Sequence, residues 1–332
     1  MISFALLIVF LYANALIVTL KNGEIKPFSL DQVNNLKGVL AILIILYHLT
    51  TIGHVTFLSP FDFWGAPIVS LFLCISGYGL LASYQKKGDS YLNNFIPSKI
   101  WRIVFPLLLV TAVYLIFEYL DKQMFPEGIF QNLFLYGITP LPFSWYAYAI
   151  IGFYLLFYLV FLNSKLGLYL KLFILLLLTV AFIFMLRNLG YGREWWICAL
   201  AFPTGMYYKL YEDKLLKLTK QQKWPLLIVP SICVLLLLIV KSKIELLFPL
   251  AYVIIPIALV YLVSFISLKN KVLLFLGSIS YEIYLLHGAW MFLLRGKTIH
   301  LDNDYIFSIS VVLFSIISAF IFNQLAKKIL NP

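Results

Sequence analysis

Apolar stretches recur along the whole of this 332-residue chain, separated by short polar segments. A bilayer's hydrocarbon core of about 30 Å asks for roughly 20 apolar residues per helical crossing, and these stretches have that length. The pattern predicts eleven spans, at residues 2–20, 36–52, 64–84, 99–120, 143–163, 168–187, 194–211, 224–240, 245–267, 271–294 and 304–328. A membrane β-barrel would instead alternate polar and apolar positions over segments of about ten residues, and no such run is evident. The run from Phe130 to Ile138 is too short to cross and reads as lying in, or dipping into, the interface. The opening run 2–20 lacks a basic segment ahead of it and a convincing small-residue cleavage site, so it reads as a retained span rather than a signal peptide. The expected fold class is all-α, a polytopic transmembrane helix bundle.

Composition strengthens that reading. Mean hydropathy is +0.96, 63% of residues are hydrophobic and 12% are charged, more apolar surface than a soluble domain of this size buries. The longest loops, 121–143 and 211–224, are too short to fold alone, which places any function in or beside the membrane. Of the 25 basic residues, eighteen fall on one set of alternating loops, among them Lys86, Lys87, Lys99, Arg102, Lys209, Lys214, Lys217, Lys327 and Lys328. The other set holds Lys122, Arg187, Arg193, Lys241, Lys243, Arg295 and Lys297. The positive-inside rule then puts the N-terminus outside and the C-terminus in the cytoplasm of a multi-pass protein of the cell membrane. Topology and anionic lipid explain much of the net charge of +11, and no nucleic-acid partner is implied. Cys74, Cys198 and Cys233 lie within predicted spans with no zinc or redox spacing, so they read as small hydrophobes and no metal site is expected.

Against this apolar background a few polar side chains stand out. Ionisable groups within a membrane cost about 2.5–3.5 kcal/mol on insertion scales and mark functional sites by default. Lys37 and His48 are eleven residues apart on one predicted helix. At 100° per residue they face the same way, separated by roughly 16 Å along the axis. Lys37 reads either as a lysine snorkelling to the headgroups or as a functional cation. His48 must satisfy a donor and an acceptor, by a structural bond to a neighbouring helix or by catalysis. Further on, Ser280, Tyr284 and His287 fall at i, i+4 and i+7, a polar stripe in an apolar span. His287 should lie at a depth similar to His48, where the two could share a polar cavity or each serve packing alone. Ser76, Gly77 and Tyr78 end a span rich in small residues, which by itself speaks only for close helix packing. Lys99 and Arg102 share a face after Pro97, suited equally to lipid anchoring and to a phosphate-rich ligand.

Five segments taken in order resemble the acyltransferase-3 membrane family. Its first core helix carries a cation, ten residues and a histidine, here Lys37 to His48. The run Leu71-Phe-Leu-Cys-Ile-Ser76-Gly77-Tyr78 matches its second helix, and Lys99-Ile-Trp-Arg102-Ile-Val-Phe-Pro106 matches the basic segment that follows. Ser144-Trp145-Tyr146 opens a helix like the family's tryptophan-led one. Gly277-Ser-Ile-Ser280-Tyr281-Glu-Ile-Tyr284-Leu285-Leu-His287 matches its late motif. Two departures stand out: lysine replaces the family arginine at 37, losing the bidentate fork, and Ile150 stands where many members have glutamate.

The resemblance implies a core of ten spans over residues 29–330, preceded by an additional helix within residues 1–28. It implies an O-acyltransferase moving an acyl group, most often acetyl, from acyl-CoA to a hydroxyl of a cell-surface polysaccharide, glycolipid or lipid-linked sugar. Acyl-CoA is then a co-substrate, with no permanently bound cofactor, and the reaction class is acyl transfer other than amino-acyl. His48, Lys37 and His287 become the catalytic candidates. Lys99, Arg102, Ser76, Tyr78, Trp145, Tyr281 and Tyr284 become the substrate-binding ones. The competing reading is a transporter or flippase that moves a glycolipid or acyl group without forming a bond. Inverted repeats would favour it, and the two halves hold no matching pair. The acceptor's identity and the oligomeric state are not encoded in any residue pattern.

Overall fold

A computed structural model of the chain describes residues 28–124, 126–221, 248–263, 268 and 270–330. The predicted spans 2–20 and 224–240, and with them the additional N-terminal helix, lie outside these residues. The described chain is helical throughout: α1 (Leu30–Thr51), α2 (Gly65–Lys87), α3 (Trp101–Lys122), α4 (Ile129–Tyr136), α5 (Trp145–Phe161), α6 (Leu168–Asn188), α7 (Glu194–Ile197), α8 (Ala201–Gln221), α9 (Phe248–Val263), α10 (Lys271–Ser278), α11 (Ser280–Leu294) and α12 (Asp304–Leu330). No strand forms among the described residues, and one isolated bridge joins Arg295 to His300.

Five of these segments are long and apolar enough to cross a membrane: Leu30–Thr51, Gly65–Leu92, Ile96–Lys122, Leu168–Asn188 and Asp304–Ile329. A sixth arises if α10 and α11 count as one span bent by 73°. Eleven complete spans are therefore not borne out by the described residues. Hydropathy reads across the break at Ile279, so 271–294 looks continuous when it is two helices. The predicted span 194–211 divides into the single turn α7 and the separate helix α8, whose second half carries Glu212, Asp213, Lys214 and Lys217. The predicted span 143–163 shortens to the 17 residues of α5.

Burial sorts the helices into a centre and a shell. In α2 and α1, 67% and 50% of the apolar window is buried, against 28% in α3, α6 and α12. The shell helices expose Leu108, Ile116, Leu177, Phe184, Ile309, Leu313 and Ile317. Large apolar side chains facing outward on helices of this length suit hydrocarbon, where every backbone polar group must bond within its own helix.

The centre closes through glycine. A Cβ at Gly77 would strike the carbonyl of Phe202, and one at Gly205 that of Cys74, so α2 and α8 touch backbone to backbone. Gly38 and Gly277 bring α1 and α10 together in the same way, against Leu273 and Asn34. Small residues at a crossing permit this approach, which favours packing where lipid provides no hydrophobic drive between helices. Amides then fix the register of α1 against α10. Gln32 Oε1 accepts from the Leu268 amide (3.1 Å), and Asn35 Oδ1 from the Asn270 amide (3.1 Å). Asn270 in turn caps α10 by accepting from Val272 N and Leu273 N. Between α11 and α12, Asn323 Nδ2 donates to the buried Glu282 carboxyl (2.8 Å) and Trp290 Nε1 to Ser318 (2.9 Å).

Candidate active site

The packing of α1 against α11 brings the two histidines into contact. His48 Nδ1 lies 2.6 Å from His287 Nε2, with the rings nearly parallel at 6°. His287 is fully buried, and its Nδ1 lies 2.7 Å from the Tyr284 carbonyl oxygen. That carbonyl can only accept, so His287 Nδ1 carries the proton, and in the neutral ring Nε2 accepts. His48 Nδ1 is then the donor of the pair. Its Nε2 keeps a free lone pair, with no hydrogen-bond partner among the described residues. One chain of hydrogen bonds thus settles both tautomers and leaves a single basic nitrogen.

Phe143 covers this pair. Its ring stacks on His48 at 4.1 Å between centroids and lies 5.6 Å from His287. Its backbone is left-handed, with φ at +61°. For a bulky residue that conformation costs on the order of 1–3 kcal/mol and persists only where surroundings enforce it. Here the Tyr284 hydroxyl donates to the Phe143 carbonyl and also accepts from the Tyr146 amide (3.3 Å). Gly288 adds the space: a Cβ there would meet the Phe143 ring at 2.7 Å and the Pro142 carbonyl at 3.0 Å.

A cavity of about 960 Å³ opens onto His48. Its wall includes Tyr47, Phe143, Trp145, Trp195 and Tyr284, with the carboxylates of Asp62, Glu118 and Glu194. The short helix α4 contributes Ile129, Asn132 and Tyr136 to the same wall while exposing Phe130 (78%) and Phe134 (69%) on its other side.

Lys37 sits at the opposite end of α1. The helix rise alone separates it from His48 by roughly 16 Å, out of reach of any atom that His48 touches. It lies instead within electrostatic range of Lys99, which is likewise within range of Lys87 and Arg102. Lys99 and Lys87 also stand over the ring of Tyr91, at 5.9 and 6.0 Å. A wide helical turn, Ile96–Ile100, leads into α3 and places Lys99 one turn before Arg102. Lys99 thus stands between three further cations, Lys37, Lys87 and Arg102.

The other sequence-derived candidates separate. Trp145 and Tyr284 join His48 on the cavity wall. Ser76 lies against the phenols of Tyr146 and Tyr154 in the helix core. Tyr78 turns towards α8, donating to Glu212 (2.7 Å) and stacking on Phe28 at 3.9 Å. Tyr281 donates to the Ile103 carbonyl (2.9 Å) and ties α11 to α3. Neither of these two lines the cavity. Sequence reasoning passed over Phe143 and Gly288. A left-handed phenylalanine has no sequence signal, although the prolines at 140 and 142 mark the loop as constrained. Among the described residues no group of histidine, cysteine or carboxylate side chains is arranged to hold a metal ion.

A family model described as an acyltransferase domain matches residues 30–326, nearly the whole chain. No curated protein and no solved structure matches it.

Proposed function

The chain belongs to this acyltransferase family and is a multi-pass membrane protein, and on that premise we propose that it is an O-acyltransferase using acyl-CoA, with acetyl the leading acyl group. The observation that carries the reading is the hydrogen-bond chain Tyr284–His287–His48, which ends in a free His48 Nε2 on a large cavity. A thioester already holds a good leaving group, so the reaction needs a base and a means of placing two substrates together. His48 Nε2 removes the proton of the acceptor hydroxyl as its oxygen attacks the thioester carbonyl. The C–O bond forms, the C–S bond breaks, and the departing thiolate takes the proton back from His48 to leave as free CoA. His287 stabilises the transient imidazolium, because its Nε2 receives the His48 proton in a short bond and its own Nδ1 proton is held by a carbonyl.

Acyl-CoA approaches from the Lys37 end. Lys37, Lys99 and Arg102 hold its phosphates as charge-assisted contacts, and the roughly 16 Å to His48 is left for an extended arm carrying the thioester. Lys37 thus serves binding rather than the reacting carbonyl. By the positive-inside rule the Lys37 end faces the cytoplasm, where acyl-CoA is made, and the cavity faces outward. The acceptor is a cell-surface glycan, glycolipid or lipid-linked sugar, for which aromatic walls and carboxylates that accept hydroxyl protons are apt. The test supplies acetyl-labelled acetyl-CoA to membranes with and without the protein and fractionates the products. Label in an alkali-sensitive ester of a glycan or glycolipid is expected. Label confined to free acetate or intact acetyl-CoA contradicts the reading.

A further inference from the structure

Beyond the cavity, the helices that carry the two histidines end against a shared side chain. Arg295 caps α11 eight residues after His287. Its guanidinium donates through Nη1 to the carbonyl of Gly53, just past the end of α1, and through Nη2 to Asp304 at the start of α12. It lies over Phe307, with the central carbon 4.0 Å from the ring centroid. Gly53 is bound directly to the histidine turn: its amide donates to the His48 carbonyl at 3.0 Å, and the Ile52 amide donates to the same oxygen at 2.9 Å. A Cβ at Gly53 would meet the Leu49 carbonyl at 2.6 Å and the Phe307 ring at 3.2 Å, so this carbonyl is presented to Arg295 from a crowded position.

We propose that Arg295 is a positioning residue for the acyl-transfer base, stapling the end of α1 to the end of α11 so that His48 and His287 stay in hydrogen-bond contact. A lysine has one donor head and cannot span Gly53 and Asp304 together, whereas the planar fork of arginine does so without strain. The cation also sits where the carbonyls of α1 end, so charge and fork act together. A short imidazole–imidazole bond tolerates little displacement, and a shift of about 1 Å at such a contact costs as much as 10²-fold in rate. The proposal rests on the reading of His48 as the base, and its test includes a signal independent of turnover.

Arg295→Gln, Arg295→Lys and Asp304→Asn are purified in detergent with ¹⁵N-labelled histidine, and turnover and KM for acetyl-CoA are measured alongside the spectra. Arg295→Gln should lower kcat at least tenfold with KM for acetyl-CoA unchanged, and should shift the ¹⁵N signals of the His48–His287 pair. Arg295→Lys, which keeps the charge and folds more readily, should show the same changes at smaller size. Asp304→Asn weakens the second anchor of the fork while leaving the Gly53 contact in place, and should lower kcat less than Arg295→Gln does. Parent-like histidine signals in both arginine variants overturn the proposal, as does a loss of kcat matched by an equal rise in KM. If His48→Ala turns over normally, the reading of His48 as the base falls instead, while the histidine signals still decide whether Arg295 holds the pair.

Discussion

At one end of α1 a restrained pair of histidines leaves one basic nitrogen open to a cavity, and at the other a lysine stands among further cations. His48 is buried against His287, its tautomer set by a carbonyl two bonds away, with Phe143 forced over it in a left-handed conformation. Every element there restrains motion. At the other end Lys99 lies within electrostatic range of Lys37, Lys87 and Arg102, where like charges repel. Restraint suits a group that must meet a transition state in one geometry. Accumulated positive charge suits a site whose occupant carries several phosphate charges and relieves the repulsion on binding. The contrast assigns chemistry to one end and capture to the other, and each variant below acts on one end alone.

The largest effect belongs to the histidine end. His48→Ala should cost on the order of 10²–10⁴ in turnover, the usual contribution of a general base, with CoA affinity by calorimetry unchanged. His287→Ala removes the group that fixes the tautomer and should fall in the same range. Normal turnover in His48→Ala together with loss in His287→Ala would reverse the two roles. Next comes the cationic end: Lys99→Ala with Arg102→Ala should weaken CoA binding at least tenfold, since charged hydrogen bonds contribute about 1.5–3 kcal/mol each. Unchanged affinity in that double variant would reduce the pair to membrane anchors. At Lys37, arginine should retain activity while methionine loses most of it, with the fold intact by thermal unfolding. A fully active methionine variant would make Lys37 a snorkelling residue. The smallest effect is on stability without ligand: Lys99→Met removes a like-charge pair one helical turn apart and should stabilise the apo protein by about 0.2–0.5 kcal/mol. Destabilisation there would mean that the cations are already neutralised.

How much of this was legible in the sequence differs between the same two regions. The eleven-residue spacing of Lys37 and His48 was enough to place both on one helix, and Leu30–Thr51 is that helix. The stripe of Ser280, Tyr284 and His287 also lies on a single helix, because the break at Ile279 falls just before it. The contact between His48 and His287 was not legible, since two helices at one depth can face any direction. The positions of Gly38 and Gly277, where α1 meets α10, carry that information only once the crossing is known. Phe143 and Arg295 were invisible for a related reason. One depends on a backbone angle and the other on contacts between segments 242 residues apart. Hydropathy likewise registers apolar length and misses a 73° bend within it.

The central claim, transfer of an acyl group by a histidine base, is tested most directly by following both products at once. Membranes bearing the protein are given acetyl-labelled acetyl-CoA, and free CoA thiol and labelled ester are measured as pH is lowered. The account predicts one thiol released per ester formed, both rates falling together as the imidazole takes up a proton, and both lost in His48→Ala. Label that crosses the bilayer with its thioester intact, at a rate indifferent to His48, would contradict it and make the protein a transporter.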